Sequence, residues 1–171
     1  LYIERDDFMI DPPKKFFRLG VGLQVRLKGA YIVTCTDFKT DADGNVTEVH
    51  AEYIPESKSG QDTSGISVKG TIHWVSIPHA IQAEVRLFDR LLIVEDAGEL
   101  GDDFTKFINP DSLEVINHVY VEPSLKQAKI EEAVQFIRKG YFCLDKDSSP
   151  EHLVFNRTVS LKDTWAKEQK K

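Results

Sequence analysis

The chain has 171 residues, of which 41% are hydrophobic and 29% charged, with a formal net charge of −6. This length fits one large domain or two small ones. The negative net charge argues against indiscriminate binding to nucleic acid or acidic membranes, and no apolar run approaches the roughly 20 residues that span a bilayer. The two cysteines, Cys35 and Cys143, form no CxxC pair. We therefore expect a reducing, cytoplasmic location, without a zinc site or a disulfide framework.

The charge is unevenly distributed along the chain. Residues 12–36 contain no acidic side chain but five basic ones, whereas residues 95–103 are strongly acidic. Such asymmetry is consistent with an oriented anionic partner, although on charge alone a solvated basic face is the more common explanation. The five basic residues are Lys14, Lys15, Arg18, Arg26 and Lys28.

The first half of the chain predicts short strands separated by turns. Residues 23–34 alternate apolar and polar side chains, the period of a half-buried strand. A turn at residues 41–45 closes a hairpin onto Val46–Tyr53. A polar, glycine-rich loop at residues 55–65 is expected to be mobile. Residues 68–76 predict the next strand, with Ile72 and Trp74 facing a core.

The second half continues the same pattern. Strands are predicted at residues 83–94, Leu113–Val121, 134–145 and 154–161, and one helix at residues 124–133. Many short strands with turn signals between them and few helices are typical of barrels or sandwiches. The predicted fold class is therefore all-β.

One internal repeat of four residues suggests two related halves. The run QVRL at residues 24–27 recurs as EVRL at residues 84–87, each opening a series of strands. If the echo reflects a duplication, it predicts two related barrels of roughly 70–90 residues each, a size that domain statistics allow.

The sequence contains no recognisable catalytic centre. His73 and His79 lie six residues apart, but Pro78 breaks the strand between them, so a shared metal site is not expected. No nucleophile elbow, Walker loop or dinucleotide fingerprint occurs in the sequence. The adjacent carboxylates are typical of plain surface charge.

Two stretches combine basic, amide and aromatic side chains in a way that suits single-stranded RNA. They are KKFFR at residues 14–18 and QFIRKGYF at residues 135–142. Unpaired bases are recognised by planar donors, amides and stacking rings on a rigid sheet. Gln135 and Arg138 could flank one base if a turn lies between them. The alternative is that these aromatics belong to the core.

Eight segments follow one another along the chain in one order. They are LYIERDDF (residues 1–8), RLGVGLQVRLKGAY (18–31), VKGTIHWVS (68–76), EVRLFDRL (84–91), FINPDSL (107–113), EPSL (122–125), QFIRKGYFCLD (135–145) and VFNRTVSLKDTWAK (154–167). Together they resemble the carboxy-terminal anticodon-binding region of the glutaminyl-tRNA synthetase family, and the resemblance covers essentially the whole chain. Glutamyl-tRNA synthetases of the archaeal and eukaryotic type share this architecture, but the IHWVS and DTWAK runs are more similar to the glutaminyl branch.

The resemblance implies two antiparallel β-barrels akin to a ribosomal-protein barrel, with few short helices. A discontinuous proximal barrel would comprise residues 1–76 and 154–171, and a distal barrel, residues 77–153, would be inserted between them. The strand in residues 154–161 would then return to complete the proximal barrel.

The resemblance also assigns roles to the nominated residues. Gln135 and Arg138 match positions that recognise the middle anticodon base, a uridine, and Arg18 matches one that recognises the third base, a guanine. Arg26 and Lys28 match positions at the first base, and Lys14 and Lys15 complete the expected anticodon-binding surface. The sequence departs from the family pattern at Lys28, where the family has an arginine, and at residue 17, where a phenylalanine replaces a lysine.

The implied parent enzyme joins glutamine to its tRNA with ATP and magnesium, in a Rossmann-type domain that bears HIGH and KMSKS-like signatures. Neither signature occurs in these 171 residues. We therefore expect a fragment of a longer chain that is catalytically inert alone and holds no cofactor or metal. Its expected partners are the anticodon loop of tRNA(Gln) and the parent catalytic domain, with no DNA or membrane partner, and the chain is expected to be a monomer.

Three alternatives remain open from the sequence. The chain could be the anticodon-binding region of a related glutamyl-tRNA synthetase. It could be a free-standing RNA-binding β-barrel, such as a ribosomal protein. It could also be a barrel that binds a small ligand or a protein, with the basic strand merely solvated.

Overall fold

A computed structural model describes residues 1–95, 98 and 101–161. Within this part of the chain the secondary structure is almost entirely β, as predicted, with four short 3₁₀ helices at Arg5–Asp7, Pro55–Ser57, Gly101–Phe107 and Pro123–Gln127. The chain divides into two compact units, Leu1–Ile77 and Pro78–Lys171. No helix among the described residues has the length and hydrophobicity that a bilayer span requires.

The first unit contains a four-stranded sheet in the order β4-β3-β2-β5 and a two-stranded ribbon of β1 and β6. Its strands are β1 (Tyr2–Ile3), β2 (Gln24–Leu27), β3 (Ile32–Thr40), β4 (Val46–Tyr53), β5 (Thr71–Ile72) and β6 (Trp74–Val75). Val25 and Leu27 alternate with outward polar residues along β2 and are buried with Phe8, Val33 and Ile72 in one hydrophobic cluster. This alternation is what places Arg26 on the side of β2 away from that cluster.

The second unit contains one five-stranded sheet in the order β8-β7-β11-β10-β9. Its strands are β7 (Ile81–Phe88), β8 (Leu113–Val121), β9 (Ala133–Phe136), β10 (Gly140–Leu144) and β11 (Leu153–Val159). The pairs in both larger sheets are antiparallel except for β2 with β5 and β11 with β7, which are parallel. The expectation of purely antiparallel sheets is therefore wrong at one pair in each of the two larger sheets.

Several predicted elements are shorter than the sequence pattern suggested. The strand predicted at residues 23–34 is a hairpin of β2 and β3, turning at Gly29, whose φ of +69° suits glycine. The strand predicted at residues 68–76 is two short pieces, β5 and β6, on either side of His73. The helix predicted at residues 124–133 is only the 3₁₀ helix Pro123–Gln127, because Glu131 has a φ of +65° and β9 starts at Ala133.

The final strand, β11, lies in the second unit and not in the first, where it was predicted. Residues 154–161 were predicted to return to the first unit, but β11 is hydrogen-bonded between β7 and β10 at the centre of the second sheet. The physical reason is its sequence: Leu153, Val154 and Phe155 are consecutive and all at most 5% exposed. A strand buried on both faces must be central. Residues 162–171, the rest of that predicted return, lie outside the described residues.

The four-residue echo has a structural counterpart. The runs QVRL and EVRL lie in β2 and β7, and each strand pairs antiparallel with the next strand and parallel with a much later one. Val25 and Val85 are both buried. The arginine that follows each valine forms an ion pair, Arg26 with Asp62 and Arg86 with Glu84 and Asp147.

Loss of the central side chain of the second sheet should be costly. Phe155 is fully buried and packs against Phe136 with ring centroids 5.3 Å apart. We expect Phe155→Ala to lower the free energy of unfolding by about 3–5 kcal/mol, as measured by urea denaturation. Val159→Ala, in the same strand but 57% exposed, should change it by less than about 0.5 kcal/mol. Similar losses for both variants would contradict the central placement of β11.

The carboxylate of Asp145 makes the second unit sensitive to acid. It accepts hydrogen bonds from the backbone N–H of Asp147 (2.8 Å) and from the Asn156 amide, and these contacts lower its pKa. Because the pKa is lower in the folded than in the unfolded protein, the stabilisation is complete above the unfolded pKa of about 4 and disappears as pH falls below that.

The unfolding free energy of Asp145→Asn should therefore be lower than that of the wild type at pH 7, and the gap should narrow below about pH 4. Asn156→Ala removes one of the two donors to this carboxylate. Its difference in unfolding free energy from the wild type should also shrink below about pH 4, but by less than for Asp145→Asn. The measurement is urea unfolding across pH. A gap that stays constant with pH would show that the ionised carboxylate contributes nothing specific.

Candidate functional site

The residues predicted to bind the anticodon lie in both units. Gln135 and Arg138 belong to the second unit, and the five basic residues Lys14, Lys15, Arg18, Arg26 and Lys28 belong to the first. Each unit therefore carries a candidate surface of its own.

Gln135 and Arg138 lie on either side of one tight turn. Gln135 is in β9 opposite Tyr141 of β10, and the turn at residues 137–139 is closed by the N–H of Lys139, which donates to the Phe136 carbonyl (2.9 Å). Arg138 has a φ of +67°, a conformation that residues other than glycine rarely adopt. The turn that the two residues require in order to flank one base is thus present, and it fixes the backbone from which the arginine projects.

The two faces of this hairpin have different characters. On one face Phe136 stacks on Phe142, with ring centroids 4.4 Å apart and planes at 22°. Those two rings belong to the core, as the alternative interpretation held for aromatics in strands. Directly paired residues share a face, so Gln135 lies on the other face with Tyr141, which is 43% exposed. The sequence prediction included Tyr141 in the stretch 135–142 but did not single it out as the exposed ring, and its alternation with Phe142 in β10 was the available signal.

In the first unit, the basic segment is exposed at one end and anchored at the other. Lys14 and Lys15 are exposed in a turn closed by the Phe16 N–H and the Pro13 carbonyl (2.9 Å). Arg18 is anchored: its Nη1 donates to the Asp6 carbonyl (2.9 Å). Its Nε lies 3.4 Å from Oδ1 of Asp7, a fully buried carboxylate.

The anchoring has two consequences for Arg18. A buried carboxylate needs a charged or hydrogen-bonding partner, so part of the guanidinium serves the fold. A guanidinium has five N–H donors, and the side chain is 38% exposed. The remaining donors can therefore reach an incoming base from a fixed position. Asp7 was missed from the sequence because adjacent acidic residues, here Asp6 and Asp7, usually lie on the surface.

Beside Arg18 a pocket is lined by two chain segments. Residues 16–18 form one wall and residues 67–70 the other, with Leu23 and Gln24 between them. The two segments touch through their backbones, because a Cβ at Gly70 would lie 1.9 Å from the Phe17 carbonyl oxygen. Across this contact the Lys69 ammonium lies 5.1 Å from the centre of the Phe17 ring, within the range of a cation–π interaction. Lys69 was not among the site residues predicted from the sequence.

Arg26 is largely committed to the fold. Its Nη1 donates to the carbonyls of Ser57 (2.6 Å) and Ala30 (3.3 Å), and its Nη2 donates to Asp62 (2.5 Å). Hydrogen bonds with Ser64, and the neighbouring Arg26, lower the pKa of Asp62. Arg26 therefore fastens the loop that was expected to be mobile, and a contact between its guanidinium and a base requires some of these bonds to open.

Lys28 offers a charge without such commitments. It follows β2 at the start of the turn and is exposed. Its backbone N–H donates to the Ile72 carbonyl (2.9 Å) and its carbonyl accepts from the Trp74 indole (3.0 Å). The backbone is thus fixed, and within the described ranges no acidic partner of the ammonium is recorded. Lys28 is better placed than Arg26 to contact an anionic ligand.

The geometry supports no metal site at the two histidines within the described part of the chain. His73 lies between β5 and β6, and His79 follows Pro78 at the start of the second unit. Across residues 1–95, 98 and 101–161 no group of three His, Cys, Asp or Glu side chains has the arrangement that a metal ion needs.

Comparisons with known proteins agree on one family. Two family models, each described as "tRNA synthetases class I (E and Q), anti-codon binding domain", match residues 1–54 and 71–145, together more than half of the chain. A glutamine–tRNA ligase of Rhodopirellula baltica is 53% identical over 169 residues. Those of Cupriavidus metallidurans and Photobacterium profundum are 52% and 51% identical over 169 and 168 residues.

The chain belongs to the family of class I tRNA synthetases for glutamate and glutamine, in their anticodon-binding domains. Within that family, the relatives named above are all glutamine–tRNA ligases, matched over 98% of this chain. The chain spans only 28–30% of their length. The sequence resemblance to the anticodon-binding region of the glutaminyl branch is therefore confirmed.

The division of roles between Arg26 and Lys28 can be tested by stability. We expect Arg26→Ala to lower the unfolding free energy by about 1–3 kcal/mol, because it leaves the carbonyl of the buried Ser57 without its guanidinium donor. Lys28→Ala, which removes the same charge two residues away, should change it by less than about 0.5 kcal/mol. Urea denaturation of both variants measures these two changes in unfolding free energy. If Arg26→Ala is as stable as Lys28→Ala, the loop is not fastened by this arginine.

Proposed function

We propose that this chain recognises the anticodon loop of tRNA(Gln). The observation that carries the proposal is the β9–β10 hairpin, which puts Gln135, Arg138 and Tyr141 around one tight turn, within the stretch matched by an anticodon-binding domain model. Sequence-specific recognition of RNA depends mainly on unpaired bases that are splayed out, stacked on rings and hydrogen-bonded along their edges. The hairpin offers an amide, a guanidinium and an exposed ring for those tasks.

The chemistry of the hairpin suits a uridine. The imide edge of uridine has one N–H donor between two carbonyl acceptors. The Gln135 amide can both accept and donate, and the Arg138 guanidinium can only donate. Together they can satisfy a donor and an acceptor of one base, which supports assigning them to the middle anticodon position.

The first-unit residues fit the other two bases. The anchored Arg18 presents donors from a fixed point, and an arginine fork suits O6 and N7 of guanine, the third base. At the first base Lys28 supplies an exposed charge, which binds as a point rather than as a planar fork. Arg26 acts there by holding the surface in shape, and Lys14 and Lys15 supply electrostatic attraction to the phosphates.

The wider context follows from the relatives. We infer that the parent enzyme attaches glutamine to tRNA(Gln) in a catalytic domain outside this chain, where ATP and magnesium would bind, and that this region alone is inactive and holds no cofactor. We further infer that the parent catalytic domain is its protein partner, that the chain is monomeric and cytoplasmic, and that in the parent the two units complete two barrels.

Binding to an anticodon stem-loop tests the proposal directly. The chain should bind a stem-loop with the glutamine anticodon more tightly than one with the middle uridine replaced, at several salt concentrations. Equal binding, or no salt-sensitive binding, would contradict anticodon recognition. A stem-loop with the glutamate anticodon that binds more tightly would favour the glutamyl alternative.

Arg138→Ala should reduce discrimination at the middle base by about 1–3 kcal/mol, as measured by fluorescence titration with both stem-loops. Arg90→Ala removes the same charge from an exposed position of the same unit and should leave discrimination unchanged. A uniform loss of affinity for every anticodon would instead make Arg138 a phosphate contact.

A further inference from the structure

The pocket between residues 16–18 and 67–70 has the character of a site for one unpaired nucleobase. Its lining includes two cationic side chains, Arg18 and Lys69, and no acidic one. It also includes Phe17, a large apolar side chain that is 49% exposed. An exposed ring next to the Lys69 ammonium and to the exposed part of the Arg18 guanidinium is favourable to cover with an anionic aromatic ligand.

The geometry gives the ring a fixed face. The Lys69 ammonium lies over Phe17 at 5.1 Å from the ring centre. Because Lys69 lies over one face of the ring, the opposite face is the one that remains for stacking. No carboxylate among the described residues forms an ion pair with Lys69, so its charge is available to a phosphate.

Backbone contacts form this pocket before any ligand binds. The N–H of Arg26 donates to the Gly70 carbonyl (2.9 Å), which continues the parallel pairing of β2 and β5 up to the pocket. Gly70 is the residue that allows this approach, because any Cβ there would collide with the Phe17 carbonyl. A preformed site loses little conformational freedom on binding.

We propose that Phe17 and Lys69 form a stacking subsite for one unpaired base of the bound RNA. The base stacks on the face of the Phe17 ring opposite Lys69, Lys69 neutralises a neighbouring phosphate, and Arg18 donates to the edge of the base. This inference rests on the proposed function and adds to it a stacking role for Phe17 and a phosphate contact for Lys69, neither of which the resemblance assigns.

The first part of the test changes the ring. Phe17→Leu keeps an apolar side chain but removes the stacking surface, and it should weaken binding of the glutamine stem-loop about tenfold or more. Phe17→Tyr and Phe17→Trp keep a ring and should bind within about threefold of the wild type. Equal affinity of the Leu variant and the wild type would overturn the proposal. Thermal unfolding of each variant checks that the fold is retained.

The second part identifies the stacked base by a double-mutant cycle. Stem-loops with one abasic nucleotide at each loop position are titrated against the wild type and Phe17→Leu. At one position the abasic substitution should weaken wild-type binding about tenfold but have little further effect on the Leu variant, because both changes remove the same contact. Additive losses at every position would overturn the stacking.

The third part concerns the charge. Lys69→Ala should reduce the slope of log affinity against log salt by about 0.7, the value for one phosphate contact on a single strand. Lys39→Ala removes an equal charge from the far end of β3, where the lysine pairs with Glu48, and should leave the slope unchanged. An unchanged slope for Lys69→Ala would remove its role at the phosphate.

These outcomes separate the subsite from the proposed function. If the wild type prefers the glutamine stem-loop while Phe17→Leu and Lys69→Ala behave like the wild type, anticodon recognition stands and the subsite is wrong. If the wild type binds no stem-loop, both are wrong.

Discussion

The candidate surface of the first unit depends on one parallel pairing between strands far apart in sequence. Arg26 and Leu27 of β2 pair with Thr71 and Ile72 of β5, and the hydrogen bonds continue to Gly70. Only a residue without a Cβ can lie against the Phe17 carbonyl at that point. This contact is what brings an exposed ring, an anchored arginine and a lysine from two distant segments to one pocket.

The second unit also contains a parallel pair of strands that are far apart in sequence, but this pair forms the centre of a sheet. Its parallel pair, β7 with β11, buries Phe155 and lets β10 and β9 extend the sheet to an edge. The β9–β10 hairpin at that edge has one face in the core and the other exposed, so Gln135 and Tyr141 are supported from beneath by packed rings. Functional side chains on a rigid sheet are held more accurately than those on a loop.

The arginines of this chain divide between fold and function. Arg26 and Arg86 occupy matching places after a buried valine, and each binds nearby acidic or carbonyl groups. Such arginines fasten the chain segments that contain their acidic partners. Arg18 shares its guanidinium between a buried carboxylate and the exposed side, and Lys28 and Lys69 supply charge that has no acidic partner among the described residues. A chain with a net charge of −6 can in this way present local basic surfaces to an anionic partner.

The sequence predicted the fold class and most strands because alternation of apolar and polar residues is a local property. It predicted the exact bounds of Val46–Tyr53 and Leu113–Val121. It did not predict the turn at Gly29, and it raised a turn between Gln135 and Arg138 only as a condition, because a glycine or a basic residue inside a strand pattern does not by itself locate a turn. The place of β11 was also missed, because the apolar run at residues 153–155 indicates a buried strand but does not show that its partner lies some 70 residues earlier in the chain. The commitment of Arg26 to Ser57 and Asp62, and the meeting of Lys69 with Phe17, depend on the same long-range pairing.

The central claim is that the β9–β10 hairpin contacts the middle anticodon base. The most direct measurement is photo-crosslinking of this chain to tRNA(Gln) that carries 4-thiouridine at the middle anticodon position, followed by mass spectrometry of the linked peptide. The account predicts a crosslink within residues 133–141. A crosslink found only outside that hairpin would contradict it.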